Sequence, residues 1–307
     1  MAGLFSSAVA PTERRKALRA ALAAPEIARM PGAFSPLAAR AIQEAGFEGV
    51  YVSGAVVAAD LALPDIGLTT LTEVAHRSRQ IARVTDLPVL VDADTGFGEP
   101  MSAARTVSEL EDAGVAGCHL EDQVNPKRCG HLDGKEVVGT DIMVRRIAAA
   151  VNERRDEQFV ICARTDAAGV EGIDSAIERA KAYADAGADM IFTEALYSPA
   201  DFEKFRAAVD IPLLANMTEF GKTELLPAQL LEDIGYNAVI YPVTLLRIAM
   251  GQVEQALGDI ANTGTQTDWV DRMQHRSRLY ELLRYNEYNA FDQQVFTYSA
   301  DSYKPTF

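Results

Sequence analysis

Apolar and polar positions along this chain fall into two kinds of segment, short and long. Eight short runs are almost wholly apolar: 27–32 (IARMPG), 49–54 (GVYVSG), 88–94 (PVLVDAD), 116–122 (AGCHLED), 159–165 (FVICART), 190–195 (MIFTEA), 212–218 (PLLANMT) and 238–243 (AVIYPV). Near-continuous apolar runs of this length predict parallel strands covered by helices, since a strand with one wet face would alternate. Between them lie longer stretches with helical spacing, such as PLAARAIQEAG before the second run and DSAIERAKAYADAG before the sixth. Several end in Ala-Gly just ahead of the next strand (Ala45-Gly46, Ala113-Gly114, Ala186-Gly187), where the glycine is a helix C-cap signal.

Eight strand-then-helix units without a linker predict an α/β protein with one closed (β/α)8 TIM-type barrel, residues 1–307 forming a single domain. An open doubly wound sheet is the alternative, but no glycine-rich phosphate loop follows the first strand to support a dinucleotide site. A helix at 12–24 precedes the barrel, with Thr12 as N-cap and Pro25 ending it. After Gly264 the pattern changes. Residues 268–288 read as one long amphipathic helix carrying Trp269, Leu279, Leu282, Leu283 and Tyr285, within a C-terminal helical extension at 265–307. Its surplus of large apolar residues fits packing on a partner subunit, or folding back on its own barrel.

Composition narrows the functional classes. With 48% apolar residues in 307, the chain can bury a full core. The 29 basic and 44 acidic residues give a net charge of −15, a poor match to nucleic acid or an anionic membrane surface. The N-terminus reaches charge before any long apolar run, so no signal peptide is expected. Nor does any stretch approach the roughly 20 apolar residues that span a bilayer. The three cysteines, Cys118, Cys129 and Cys162, have neither metal-type spacing nor a disulfide framework, which predicts a reducing, cytoplasmic setting.

In such a barrel, chemistry gathers at the C-terminal ends of the strands. Those positions hold Tyr51 and Ser53, Asp92 and Asp94, Glu121 and Asp122, Arg164 and Asp166, Glu194, Asn216 and Thr218. One polar strand end is ordinary, but so many together predict a site. Asp92 and Asp94 sit two apart, so in an extended chain both point to one side. Carboxylate ligation suits Mg²⁺, which keeps several waters, and Glu121 on the neighbouring strand could hold one of them. The competing structural roles are Asp94 capping the next helix and Asp92 pairing with Arg164.

Past the fourth strand, Lys127-Arg128-Cys129-Gly130-His131 flanks a thiol with two cations and a histidine. Such neighbours lower a thiol pKa towards neutrality, where a group exchanges protons efficiently. Gly130 lets the loop approach a ligand closely. Cys118 and Cys162 lie inside strand runs and read as small buried hydrophobes. His76 reads as solvent-facing and His119 as a strand-interior residue. His275, on the C-terminal helix, could matter only across a subunit boundary.

These residues resemble the isocitrate lyase and phosphoenolpyruvate mutase superfamily, and most closely its 2-methylisocitrate lyase branch. The similarity runs from about Arg29 to about Gln294. It is carried by VDADTGFG (91–98), HLEDQV (119–124), KRCGH (127–131), ARTDA (163–167), ANMTEFG (215–221) and GTQ (264–266). KRCGH is the specific element, since mutases and oxaloacetate-hydrolysing relatives lack this cysteine loop. The isocitrate enzymes are longer and carry a serine-rich segment where this chain has NMTEFG.

The resemblance implies Mg²⁺-dependent cleavage (Mn²⁺ as a substitute) of a tricarboxylate, 2-methylisocitrate, to pyruvate and succinate, a step of the methylcitrate cycle. Asp92 would be the metal ligand, with Asp94, Asp65 and Glu121 acting through waters. Ser53, Gly54, Ala55 and Arg164 would hold the pyruvate half. Gly130, His131, Glu194, Asn216, Thr218 and Arg247 would hold the succinate half. Cys129 would be the general acid and Tyr51 the candidate base, with Arg164 and His131 beside them. Ala55 is a departure, because relatives often have a run of glycines there. The family also forms tetramers that exchange terminal helices, which would account for the apolar C-terminal extension. An isocitrate or dimethylmalate lyase and a non-catalytic metal-binding barrel are the competing readings; a pure scaffold has no use for the thiol loop.

Overall fold

The computed structural model describes residues 4–128 and 134–297, and each of the eight predicted apolar runs contains a strand. The strands are β1 (Ala28–Pro31), β2 (Val50–Val52), β3 (Val89–Asp92), β4 (Gly117–Glu121), β5 (Val160–Thr165), β6 (Met190–Thr193), β7 (Leu213–Asn216) and β8 (Ala238–Tyr241). All pair in parallel, in the order β1-β8-β7-β6-β5-β4-β3-β2. A parallel bridge from Gly32 to Tyr51 brings the two ends together, with Ala33 N donating to Tyr51 O at 2.9 Å. Gly32 is needed at this seam. A Cβ there would lie 2.0 Å from the Pro242 carbonyl oxygen, so any side chain would push the closure apart. The result is a TIM-type (β/α)8 barrel.

The helices are α1 (Pro11–Ala23), α2 (Pro36–Glu44), α3 (Gly54–Asp60), α4 (Leu71–Ala82), α5 (Pro100–Asp112) and α6 (Thr140–Glu153), then α7 (Ile173–Asp185), α8 (Pro199–Ala208), α9 (Ala228–Ile234), α10 (Thr244–Thr263), α11 (Arg276–Leu282) and α12 (Tyr285–Phe296). The Ala-Gly signals end α2, α5 and α7 as expected, with Gly46, Gly114 and Gly187 in the left-handed region just past each cap.

Strand parity divides the core in two. Val89, Val91, Cys118, Leu120, Ile161 and Ala163 face the helices. Met30, Tyr51, Leu90, Val160, Cys162 and Phe192 fill the barrel interior, joined by Leu18 and Leu22 from α1. Thus α1 plugs the N-terminal end. Its buried Arg15 donates to Val115 O and Glu111 O, at the exit of α5. Cations satisfy the free carbonyls that close a helix.

Two expectations are corrected. Thr12 is not the N-cap of α1: the helix starts at Pro11 after Ala10, and the Thr12 hydroxyl donates to Asp156 Oδ2 at 2.9 Å. Proline at the first position needs no donor, so the helix opens there. Nor do residues 268–288 form one helix. A 3-10 turn (Thr267–Arg272) is followed by α11 and then α12, with a left-handed break at Arg284 (φ 57°). The breaks let the chain anchor at two places on the barrel wall. Trp269 donates to Asp259 on α10, and Leu282 O accepts from Arg40 on α2.

Candidate active site

The C-terminal mouth of the barrel collects carboxyls around buried cations. Asp92 ends β3 facing inward, and its oxygens accept from Gly54 N at 3.1 Å and Asp94 N at 3.0 Å. Gly54 permits this approach, since a Cβ would sit 2.9 Å from Asp92 Oδ2. Burial works against the charge on Asp92. The His119 imidazole, Lys127 and Arg164 outweigh it and hold the carboxyl below its usual range.

Asp94 does not continue the strand as an extended chain would; its φ is 47°, in the left-handed region. It still reaches the site, because Lys127 Nζ lies 2.8 Å from its Oδ1 and also bonds Asp65. Burial pushes the Asp94 carboxyl up to about 6, against the pull of Lys127. The Lys127 ammonium is itself buried, but Asp94, Glu121, Asp92 and Asp65 keep it protonated. The two structural alternatives for these aspartates fall away. Glu99, not Asp94, is the N-cap of α5, and Arg164 pairs elsewhere.

Arg164 is the hub of the opposite wall. It forks onto Asp166 with 2.9 and 3.1 Å bonds, and approaches Glu121 Oε2 at 3.4 Å and Glu194 Oε2 at 3.5 Å. Its guanidinium lies 5.0 Å from the Phe192 ring centroid. Asp166 is held in turn by Lys135 at 3.0 Å, and Asp122 accepts from Asp166 N at 2.9 Å. Asn216 Nδ2 donates to Glu194 Oε2 at 3.2 Å, and Arg247 Nη1 donates to Thr218 Oγ1 at 3.1 Å. Ser53 is buried just ahead of α3, whose first residues are Gly54 and Ala55. Cys129, Gly130 and His131 lie outside the described residues.

His119 is the site residue that sequence reasoning passed over. Its Nε2 is 2.8 Å from Tyr51 Oη and 3.6 Å from Asp92 Oδ1, inside the barrel. The signal was available in its spacing, for it stands two residues before Glu121 on one strand and must share that face. Burial drives the imidazole down to about 4, so it is neutral at pH 7. Burial and the Asp92 charge drive the Tyr51 phenol well up. A phenol held protonated can serve as a base only by passing its own proton on, and the neutral His119 imidazole stands in position to take it.

A divalent cation fits this donor set. Glu121 Oε1 is buried without a hydrogen-bond partner, and burial pushes that carboxyl well up despite Arg164 and Lys127. Added positive charge would hold it ionised. The neighbouring carboxyls of Asp92 and Asp166 add hard oxygen donors of the kind Mg²⁺ requires. Among the described residues no three acidic, histidine or cysteine side chains converge to chelate an ion directly. A largely water-mediated site is therefore the one these residues suit. A cavity of about 450 Å³ opens beside Asp94, lined also by Thr69, Thr95 and Asn125.

The other thiols are inert. Burial pushes Cys118 up to about 12 and holds Cys162 well above the ordinary thiol range. Iodoacetamide at pH 8 should leave both unmodified in the native protein and label them only after denaturation. Peptide mass spectrometry reads this directly; labelling of either in the folded state would contradict their placement.

Strand-end carboxyls, a buried arginine fork and a mouth closed from below are the arrangement of a barrel enzyme acting on a small molecule. The chain matches the phosphoenolpyruvate phosphomutase family over residues 18–261. It is 99% identical, over the whole of both chains, to the probable 2-methylisocitrate lyase 2 of Corynebacterium glutamicum. It is 48% identical to the 2-methylisocitrate lyase of Aeropyrum pernix, covering 88% of this chain and 87% of that one. Among solved structures, 2,3-dimethylmalate lyase, a PEP mutase/isocitrate lyase superfamily member, superposes with a TM-score of 0.85 at 33% identity, covering 96% and 99% of the two chains. Phosphonopyruvate hydrolase in complex with oxalate and Mg²⁺ gives 0.83 at 27%, covering 92% and 99%. The chain belongs to the phosphoenolpyruvate phosphomutase family and is a lyase of the PEP mutase/isocitrate lyase superfamily.

Proposed function

We propose that the chain cleaves 2-methylisocitrate to pyruvate and succinate with the help of Mg²⁺, for which Mn²⁺ can substitute. The observation that carries this is the buried rim of Asp92, Asp94 and Glu121 facing Lys127 and Arg164, where carboxyls outnumber cations. Asp92 would hold the ion, with Asp94, Asp65 and Glu121 bound to its waters. When bound, the ion draws electron density from a 2-hydroxycarboxylate and makes its hydroxyl more acidic.

The chain's own groups do the rest. Ser53, Gly54, Ala55 and Arg164 orient the half that becomes pyruvate. Gly130, His131, Glu194, Asn216, Thr218 and Arg247 hold the half that becomes succinate and stabilise the charge developing on it. The hydroxyl gives its proton to Tyr51 Oη as that phenol passes its own to the neutral His119 imidazole, 2.8 Å away. The bond between the hydroxyl-bearing carbon and its neighbour breaks, and the electron pair goes to the succinate carbon. Cys129 gives that carbon its proton. Tyr51 is thus the base, and His119 holds the proton it passes on.

The same reading takes the chain as one domain working as a homotetramer in the cytoplasm, with the C-terminal helices exchanged between subunits. In support, α10 has no buried residue over 20 positions, and Ile248, Val253 and Leu257 on it are exposed. No helix among the described residues is long and apolar enough to cross a membrane.

The test is a comparison of tricarboxylates on one preparation with Mg²⁺, following succinate. The extra methyl of 2-methylisocitrate sits on the carbon that becomes the pyruvate carbonyl, and a pocket that accepts it should favour it by roughly 10–200-fold in kcat/KM over isocitrate. A ratio at or below unity, with glyoxylate formed, would assign the chain to isocitrate cleavage instead.

A further inference from the structure

Arg247 stands at the start of α10, beside the end of β7, and among the described residues one of its nitrogens carries all its hydrogen bonds. Nη1 donates to Thr218 Oγ1 at 3.1 Å, to the Glu219 carbonyl oxygen at 2.8 Å and to Glu219 Oε2 at 2.7 Å. Among the described residues, Nε and Nη2 donate to nothing, and the side chain is 37% exposed. The other Glu219 oxygen, Oε1, accepts from the Thr244 hydroxyl in the same first turn of α10. Phe220 completes the clamp. Its backbone adopts a left-handed φ of 60°, and its ring centroid lies 5.4 Å from the guanidinium.

A carboxylate beside a residue meant to bind a carboxylate is a puzzle, since it repels the incoming anion. The bond pattern resolves it. Had Glu219 taken the two-nitrogen edge of Arg247, as Asp166 takes that of Arg164, it would block the site. Instead it holds a single nitrogen and leaves the Nε–Nη2 edge open, the edge that accepts a carboxylate through two parallel bonds. An unheld arginine side chain would have to surrender its rotamer freedom on binding; one already clamped does not.

We propose that Glu219, braced by Thr244, is the positioning residue that presents the open edge of Arg247 to one carboxylate of the succinate half. This rests on the functional reading above, in which Arg247 contacts that half of the substrate. Glu219 itself touches no substrate and acts through Arg247 alone.

The experiment uses the full-length protein with Mg²⁺ and measures succinate and pyruvate binding by calorimetry, with kcat and KM for 2-methylisocitrate. Glu219→Ala should weaken succinate by about 10–100-fold, the usual scale for a misplaced binding group. Pyruvate affinity should stay unchanged, and KM should rise more than kcat falls. Glu219→Gln keeps an acceptor oxygen for Arg247 and should stay within about threefold of the parent, whereas Thr244→Val should cost about three- to tenfold, the scale of one lost hydrogen bond. The Thr244 variant also serves if Glu219→Ala does not fold. Tighter succinate binding in both Glu219 variants would overturn the proposal and make Glu219 a competitor. Unchanged binding in Glu219→Ala, alongside a large loss in Arg247→Ala, would overturn it too, with the substrate reading intact. Unchanged succinate binding in Arg247→Ala would bring down both.

Discussion

Replacing Cys129 by serine is expected to slow carbon–carbon cleavage by roughly 10²–10⁴-fold, the range for a lost general acid, while pyruvate still binds. Serine keeps the shape, but its hydroxyl barely ionises. Of the two cations flanking it in sequence, Lys127 is buried and committed to Asp65 and Asp94. The controls are Cys118→Ala and Cys162→Ala. Alanine is the right choice there, because both positions are fully buried and a serine hydroxyl would be left without a partner. Single-turnover succinate formation and a melting curve are measured for all three. Should either control lose turnover as severely as Cys129→Ser while remaining folded, the assignment of the acid is wrong.

Asp92→Ala should abolish turnover and remove most Mn²⁺ binding, read by electron paramagnetic resonance titration. It should also cost some stability, since Gly54 N–H and Asp94 N–H both lose their acceptor. Each buried donor left unmade costs about 1–3 kcal/mol. Asp92→Asn separates the two effects. The amide oxygen restores an acceptor, so melting should recover towards the parent while metal binding stays weak. Full activity of the parent enzyme in excess chelator would sink the metal assignment, whatever the variants do.

The barrel was legible because strand burial and strand parity are local properties, written into successive residues. Each apolar run held its strand, and the strand ends Asp92, Glu121 and Arg164 all face the mouth. What escaped depends on partners far along the chain. The Arg164–Asp166 fork could be read from spacing, but Lys135 bracing it arrives from a segment 31 residues away from Asp166. His119 was passed over because it lay in the middle of an apolar run, although parity with Glu121 placed it inside. The break at Arg284 has no local cause in the pattern of apolar residues. Beyond it α12 is anchored elsewhere, through the Tyr288 hydroxyl, which donates to Leu4 O at 2.6 Å. The thiol loop is conspicuous in sequence, yet its placement against the mouth lies outside the described residues.

The two arginines of the mouth differ in what their replacement would disturb. Arg164 compensates Asp166, Glu121 and Glu194 deep in the barrel, and deleting one partner of such a buried cluster typically costs about 3–5 kcal/mol. That is a large part of a domain's entire margin of stability. Replacement there would destabilise the fold whatever it did to specificity. Arg247 and its clamp are half exposed, on a turn after β7 and the first turn of α10, where replacement threatens little of the core. Replacement therefore acts differently across the mouth: on one wall it loosens the fold, and on the other it changes the binding surface alone.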